Sequence, residues 1–222
     1  MSRLADPRQG DLVVYLPSVF HEARPDVLIA HIERHDFGML ISHGESGIET
    51  SRVPFLVEGG TGGAALILKG HLARANPQVA HLATGGEVLA VFAGPHAYVS
   101  PRWYCAGPSV PTWNYADVYA YGTPRLIAEE AALRRLLQRL SERHERGNPA
   151  PWRMEDQPAD YLATMLTGIV GFEIAVTRLE GKFKLSQNRP AADRPRIIAA
   201  LEERGDAEAR AVARLMRERE PD

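Results

Sequence analysis

Cysteine is nearly absent from this 222-residue chain, where Cys105 stands alone. A single cysteine excludes an internal disulfide framework and a cysteine-based zinc site, and it is the usage of a reducing compartment. With no activating partner apparent in the sequence, the residue reads as a small buried apolar side chain. Long apolar runs are missing too: no stretch approaches the roughly 20 residues a membrane helix needs. The opening MSRLADPRQGD lacks the apolar core of a signal peptide. A cytoplasmic protein without membrane contact is expected. An excess of either charge is also lacking, since 26 Lys and Arg face 28 Asp and Glu for a formal charge of −2. Such a chain has no global basic field to hold nucleic acid, so any such contact has to be local. No GxGxxG follows a strand, no Lys-Ser/Thr pair follows the glycine-rich GGTGG, and neither HExxH nor GxSxG occurs. No metal site is expected, and no catalytic residue is assigned.

What is present is 45% hydrophobic and 24% charged, which suits a globular protein with a full core. Pro25-Asp26 followed by Val27, Leu28, Ile29 and Ile32 reads as a short amphipathic helix. Met39–Ser42 and Ile48–Val57 flank the turn Glu45-Ser46-Gly47 and read as a hairpin. AALILKG is a strand, and the Asn76-Pro77 to Gly85-Gly86 interval predicts a helix of about two turns. EVLAVFAG, apolar on successive positions, predicts a strand covered on both faces. TWNYADVYAYG predicts another strand. Thr123-Pro124 repeats the cap-and-proline device and predicts a helix carrying Leu126, Leu133, Leu136, Leu137 and Leu140, with Glu130 placed to pair with Arg134. A second helix is expected over Ala159–Leu166. Ile169–Leu179 and Lys182–Leu185 around Glu180-Gly181 read as a hairpin, and the tail as two short helices joined at Gly205-Asp206. The fold class expected is α+β and mainly antiparallel, a barrel with peripheral helices and a helical C-terminal tail.

Three stretches could carry chemistry. In GHLARANPQ, strand alternation places Lys69 and His71 on one face, Arg74 follows in the turn, and Asn76 can cap the next helix. A cation beside exposed N–H groups suits a phosphate or carboxylate, although a surface ion pair for Arg74 would explain the same residues. GPHAYVSPRWY and VPTWNY supply Tyr98, Trp103, Tyr104, Trp113 and Tyr115, with Ser100 and Asn114 as polar handles. Such a set can hold a planar heteroaromatic ligand or simply fill a core. KFKLSQN ends in Lys184, Ser186, Gln187 and Asn188, whose amides can read a pyrimidine-like edge or make ordinary turns. In the tail, Arg210, Arg214 and Arg217 share a face, but Glu203, Asp206, Glu208 and Glu218 interleave them as on a solvated helix.

YLPSVF (15–20), VPFL (53–56), GHLARANPQ (70–78), VFAGPHAYVSPRWY (91–104), VPTWNYADVYAYG (110–122) and GIVGFEIAVTRLEGKFKLSQNR (168–189) together resemble the PaiB-type family of FMN-binding negative transcriptional regulators. The resemblance implies an FMN-binding split β-barrel similar to pyridoxamine 5′-phosphate oxidases, usually a homodimer with flavin at the interface. It implies that Arg74, His71 and Asn76 serve the flavin phosphate and ribityl chain, with Ser51 and Arg52 helping. Tyr98 and Ser100 would line the site, Trp113 and Asn114 would bound the ring, and Lys184 and Gln187 could reach in from the partner subunit. This chain has Ser51-Arg52-Val53 where the family has Thr-His-Leu, and Arg102 where it has Ser. The domain layout expected is a flexible extension (1–14), the barrel (15–190) and the tail (191–222). The resemblance implies regulation, with DNA as a partner that neither charge nor motif supports. A flavin-dependent oxidoreductase and a haem-binding split-barrel protein are the alternatives, and whether the protein is an enzyme stays open.

Overall fold

A computed structural model describes residues 14–60, 64–105 and 107–219. The expected N-terminal extension therefore lies, but for Val14, outside the described residues. Eight strands, β1 (His21–Glu22), β2 (Phe37–Gly44), β3 (Gly47–Pro54), β4 (Leu56–Glu58), β5 (Ile67–Ala73), β6 (Val88–Val99), β7 (Thr112–Ile127) and β8 (Ile169–Lys184), form one sheet. Its order is β3-β2-β6-β7-β8-β5-β4, with β1 added to β8. The β2–β3, β2–β6, β4–β5, β5–β8 and β1–β8 pairings are antiparallel. The helices are α1 (Pro25–Arg34), α2 (Gln78–Ala83), α3 (Glu130–His144), α4 (Ala159–Thr167), α5 (Asp193–Arg204) and α6 (Ala207–Arg217). Strands and helices are mixed and the pairings antiparallel, so the α+β expectation holds.

The chain divides into two compact units, Ala23–Gly94 with Asp117–Glu180, and Met1–Glu22 with Pro95–Ala116 and Gly181–Asp222. In the first, Phe55 packs edge-on against Phe92 and Phe172 at centroid distances of 5.2 and 6.1 Å. Leu40, Val53, Leu68 and Ile174 complete this dry centre, and burying each such side chain contributes about 1.5–3 kcal/mol. Helix α1 turns Leu28, Ile29, His31 and Ile32 inward, and His31 Nε2 lies 3.1 Å from the Phe92 carbonyl oxygen. Helix α3 buries Leu133, Leu136 and Leu140, the last two joining Leu56 and Ile127 in a satellite cluster. On its outer face Arg134 donates to Glu130 at 2.9 Å, as the four-residue spacing predicts.

In the second unit α5 and α6 form a helical hairpin closed by Ile197, Ile198, Leu201, Val212, Ala213 and Met216. Gly205 ends α5 at φ 74°, a left-handed conformation that a Cβ disfavours. Asp206 then starts α6, its carboxylate accepting from the Ala209 N–H at 2.9 Å. Cys105 is exposed, against the expectation of burial. Its backbone N–H, at the bend after residues 101–103, donates to the buried Asp193 carboxylate at 2.8 Å, and its thiol donates to the Ala192 carbonyl at 3.3 Å.

Three local expectations are corrected. Thr123-Pro124 starts no helix: β7 runs on to Ile127, and α3 begins only at Glu130. The Thr177 hydroxyl donating to the Tyr121 carbonyl, and the Arg125–Glu173 ion pair at 2.6 Å, tie this end of β7 to β8 and override the local helix signal. Glu180-Gly181 makes no turn either, because β8 runs on through it and β1 pairs there, Glu22 opposite Gly181. The β6 strand is not uniformly covered. Val88, Ala90 and Phe92 face inward, then Pro95, Ala97 and Val99, so the alternation changes phase at Ala93-Gly94.

Candidate functional site

The corner between β5 and α2 gathers the first group of candidate residues. Pairing with β8 sets Lys69 opposite Glu173 and His71 opposite Gly171. Lys69 and His71 share a face as predicted, and Lys69 holds the Glu58 carboxylate at 2.6 Å. Burial pushes the His71 imidazole below its ordinary pKa, so it is neutral at pH 7. Its Nδ1 is buried without a hydrogen-bond partner. Arg74 turns its guanidinium toward the end of α4, donating from Nε to the Thr167 carbonyl at 2.7 Å and from Nη2 to the Ile169 carbonyl at 3.0 Å. A cation there complements the negative end of the helix, and Nη1 is left over among its five N–H donors.

Asn76 donates from Nδ2 to the Ser51 hydroxyl at 2.9 Å, while its Oδ1 accepts the Gln78 N–H at 2.9 Å. The two residues, 25 positions apart, thus meet. Arg52 lies exposed on β3, donating to the Phe37 carbonyl at 3.3 Å with its guanidinium 5.5 Å from the Phe37 ring centroid. Sequence reasoning missed the support beneath the corner. Fully buried Gln78 reaches the Leu40 and Glu49 carbonyls and the Ser42 hydroxyl at 3.2, 3.1 and 3.0 Å. Three residues on, His81 lies between the hydroxyls of Ser42 at 3.0 Å and Ser46 at 2.8 Å. Polar side chains spaced i, i+3 on a short helix were the available signal.

The remaining candidates belong to the other unit. Tyr98 and Trp113 meet edge-to-face at 6.0 Å, and Trp113 is 53% exposed. Ser100 accepts from the Arg102 N–H at 3.3 Å and caps the short turn that follows it. Asn114 is fully buried, exchanging hydrogen bonds with the Ser186 hydroxyl at 2.9 and 3.1 Å. Gln187 folds back on its own turn, accepting from the Leu185 N–H at 2.7 Å and donating to the Phe183 carbonyl. Lys184 donates to the Trp113 carbonyl at 2.6 Å and to the Thr112 hydroxyl. Asn114 and Gln187 are thus occupied inside the protein, whereas Trp113, Tyr98 and Lys184 present surface. Among the described residues no group of His, Cys, Asp or Glu is placed to hold a metal ion, and no helix is long and apolar enough to cross a membrane.

An antiparallel sheet of this order with flanking helices is that of a split-barrel protein. Residues 14–178 match the family described as "Putative FMN-binding domain", and the chain belongs to that family. It is 30% identical over 208 residues to the protease synthase and sporulation protein PAI 2 of Bacillus subtilis, covering 93% of this chain and 98% of that one. An uncharacterized protein of Emericella nidulans is 32% identical over 244 residues, covering 93% and 97%. Among solved structures, the flavocytochrome Anf3 of Azotobacter vinelandii superposes with a TM-score of 0.59 at 13% identity, over 74% of this chain and 69% of that one. A FAD and heme binding protein of Mycobacterium smegmatis gives 0.55 at 14%, over 74% and 73%. At these identities the two structures carry the fold alone.

Proposed function

We propose that the β5–α2 corner holds FMN, with the ribityl chain and phosphate lying along His71, Arg74, Asn76, Ser51 and Arg52. One observation carries this placement: His71 Nδ1 is a buried polar atom left without a partner, and a buried polar group in a native fold calls for one. Ribityl hydroxyls supply it. Arg74 Nη1 and the exposed Arg52 are donors suited to a phosphate, and the Asn76–Ser51 bond fixes the loop between them. When bound, FMN supplies hydride and electron exchange, and the protein's share is to position it and set its surroundings.

The test is a titration of FMN into the apoprotein, read as quenching of flavin fluorescence. Saturation at one FMN per chain is expected. Arg74→Ala and His71→Leu are each expected to weaken binding by more than about tenfold, or about 1.4 kcal/mol. Unchanged affinity in both variants overturns the placement.

We further propose a regulatory role for a cytoplasmic homodimer, as the family resemblance implies. DNA binding in particular is tested by the salt dependence of retention on an operator fragment against random DNA, with equal retention on both counting against it.

A further inference from the structure

Helix α4, in the unit built from Ala23–Gly94 and Asp117–Glu180, is weakly anchored except at one residue. The Arg74 N–H donates to the Gly168 carbonyl at 2.8 Å, Nε to the Thr167 carbonyl at 2.7 Å and Nη2 to the Ile169 carbonyl at 3.0 Å. These acceptors lie at the C-terminal end of α4 and just beyond it, where a helix leaves carbonyls without an internal donor. Among the described residues, the other side-chain bonds of α4 stay inside it. The Asp160 carboxylate accepts the Tyr161 N–H, and the Thr164 and Thr167 hydroxyls donate to the Asp160 and Thr164 carbonyls. Apolar contact adds little, since Leu166 is the one residue α4 buries, and Tyr161 and Met165 are 53% and 49% exposed. An open hollow of about 450 Å³, lined by Ala163 and Leu166 together with Leu126, Ile127 and Leu133, leaves the last turn loosely packed. A nine-residue helix is not stable on its own, so α4 depends on what holds its end.

We propose that Arg74 couples this helix to the flavin: a phosphate taken by Nη1 orders α4, so that the order of α4 reports whether FMN is bound. The inference rests on the placement of FMN at the β5–α2 corner. The planar guanidinium makes both contacts compatible, since Nε and Nη2 serve the carbonyls and Nη1 is left for the phosphate. Either contact fixes the same side-chain torsions, which are otherwise free at an exposed position. The second contact then forms on a side chain already held, and each favours the other.

The test is amide hydrogen exchange over residues 162–168 of the full chain, with FMN affinity read separately by fluorescence quenching. In the apoprotein, Arg74→Ala should speed exchange there about fivefold or more relative to the wild type. Saturating FMN should slow it about threefold or more in the wild type and leave it unchanged in Arg74→Ala. Linkage runs both ways, so Ala163→Pro, which breaks α4 at a residue with no part in the FMN placement, should weaken FMN binding about threefold or more. Ala163→Gly replaces it should that variant fail to fold. The coupling is overturned, with the FMN placement intact, if Arg74→Ala weakens FMN but α4 exchanges at one rate with and without the flavin. It is equally overturned if the Ala163 variant binds FMN like the wild type. Exchange in the apoprotein that Arg74→Ala leaves unchanged removes the tether itself. Equal FMN affinity in Arg74→Ala and the wild type overturns the placement, and the coupling with it.

Discussion

Gln78 brings two amide hydrogens to three acceptors, the Leu40 and Glu49 carbonyls and the Ser42 hydroxyl, at a position with no solvent access. Gln78→Leu keeps most of the volume and strands buried acceptors, so it is expected to lower the unfolding free energy by about 1–3 kcal/mol. A urea midpoint that falls with an unchanged slope checks this, and an unchanged midpoint would show that the bonds contribute nothing net. The same corner shows how much of the site was legible one residue at a time. Ser51, Asn76, His71 and Arg74 could be named because a strand, a turn and an Asn-Pro start leave local marks and the family motif covers them. What Arg74 binds could not be named, since the carbonyls of Thr167 and Ile169 lie more than 90 residues away. Gln78 carries only its i, i+3 spacing to His81, which marks a shared helix face and not its burial.

Long strands and their close crossings dominate at the level of elements. Gly122 of β7 sits where a Cβ would fall 2.2 Å from the Ala175 carbonyl oxygen of β8. That atom is backbone inside a ladder and cannot give way cheaply. Gly122→Ala is therefore expected to destabilise by about 3 kcal/mol, the upper end for overpacking, with Gly205→Ala costing about 1–2 kcal/mol through its left-handed backbone. Thermal unfolding of the two variants gives the order, and the reverse ranking would refute the close-approach argument. The misread elements have the same origin. Thr123-Pro124 and Glu180-Gly181 are genuine local signals for a helix start and a turn, but both lie in strands whose extended backbone is fixed by neighbours distant in sequence. Helices α1, α2, α4 and α6, whose periodicity is local, were legible almost to their ends, whereas α5 opens at Asp193, before the Arg196 at which it was expected.

For the molecule as a whole, several titrations point the same way. His71 is held below its ordinary value of 6.5 by burial, so between that value and its depressed folded pKa the unfolded chain binds a proton that the folded chain does not. Stability present above pH 6.5 is thus lost as pH falls through this window. Burial alone would raise the Glu58 carboxyl, but Lys69 and Arg139 outweigh it and hold it below 4.5. The Cys105 N–H outweighs burial at Asp193, and the Ala209 N–H does so at Asp206, so both carboxyls lie below 3.8. These carboxylates lose their contribution only at lower pH, with the same sign. The expected profile of urea midpoint against pH is a plateau from pH 8 to 7, a shallow decline beginning near pH 6.5, and a steeper one below about pH 4.5. His71→Leu should abolish the shallow decline and leave the steep one. A variant profile that retains the full decline would place its origin elsewhere, and with it the neutral, unpartnered imidazole on which the FMN placement rests.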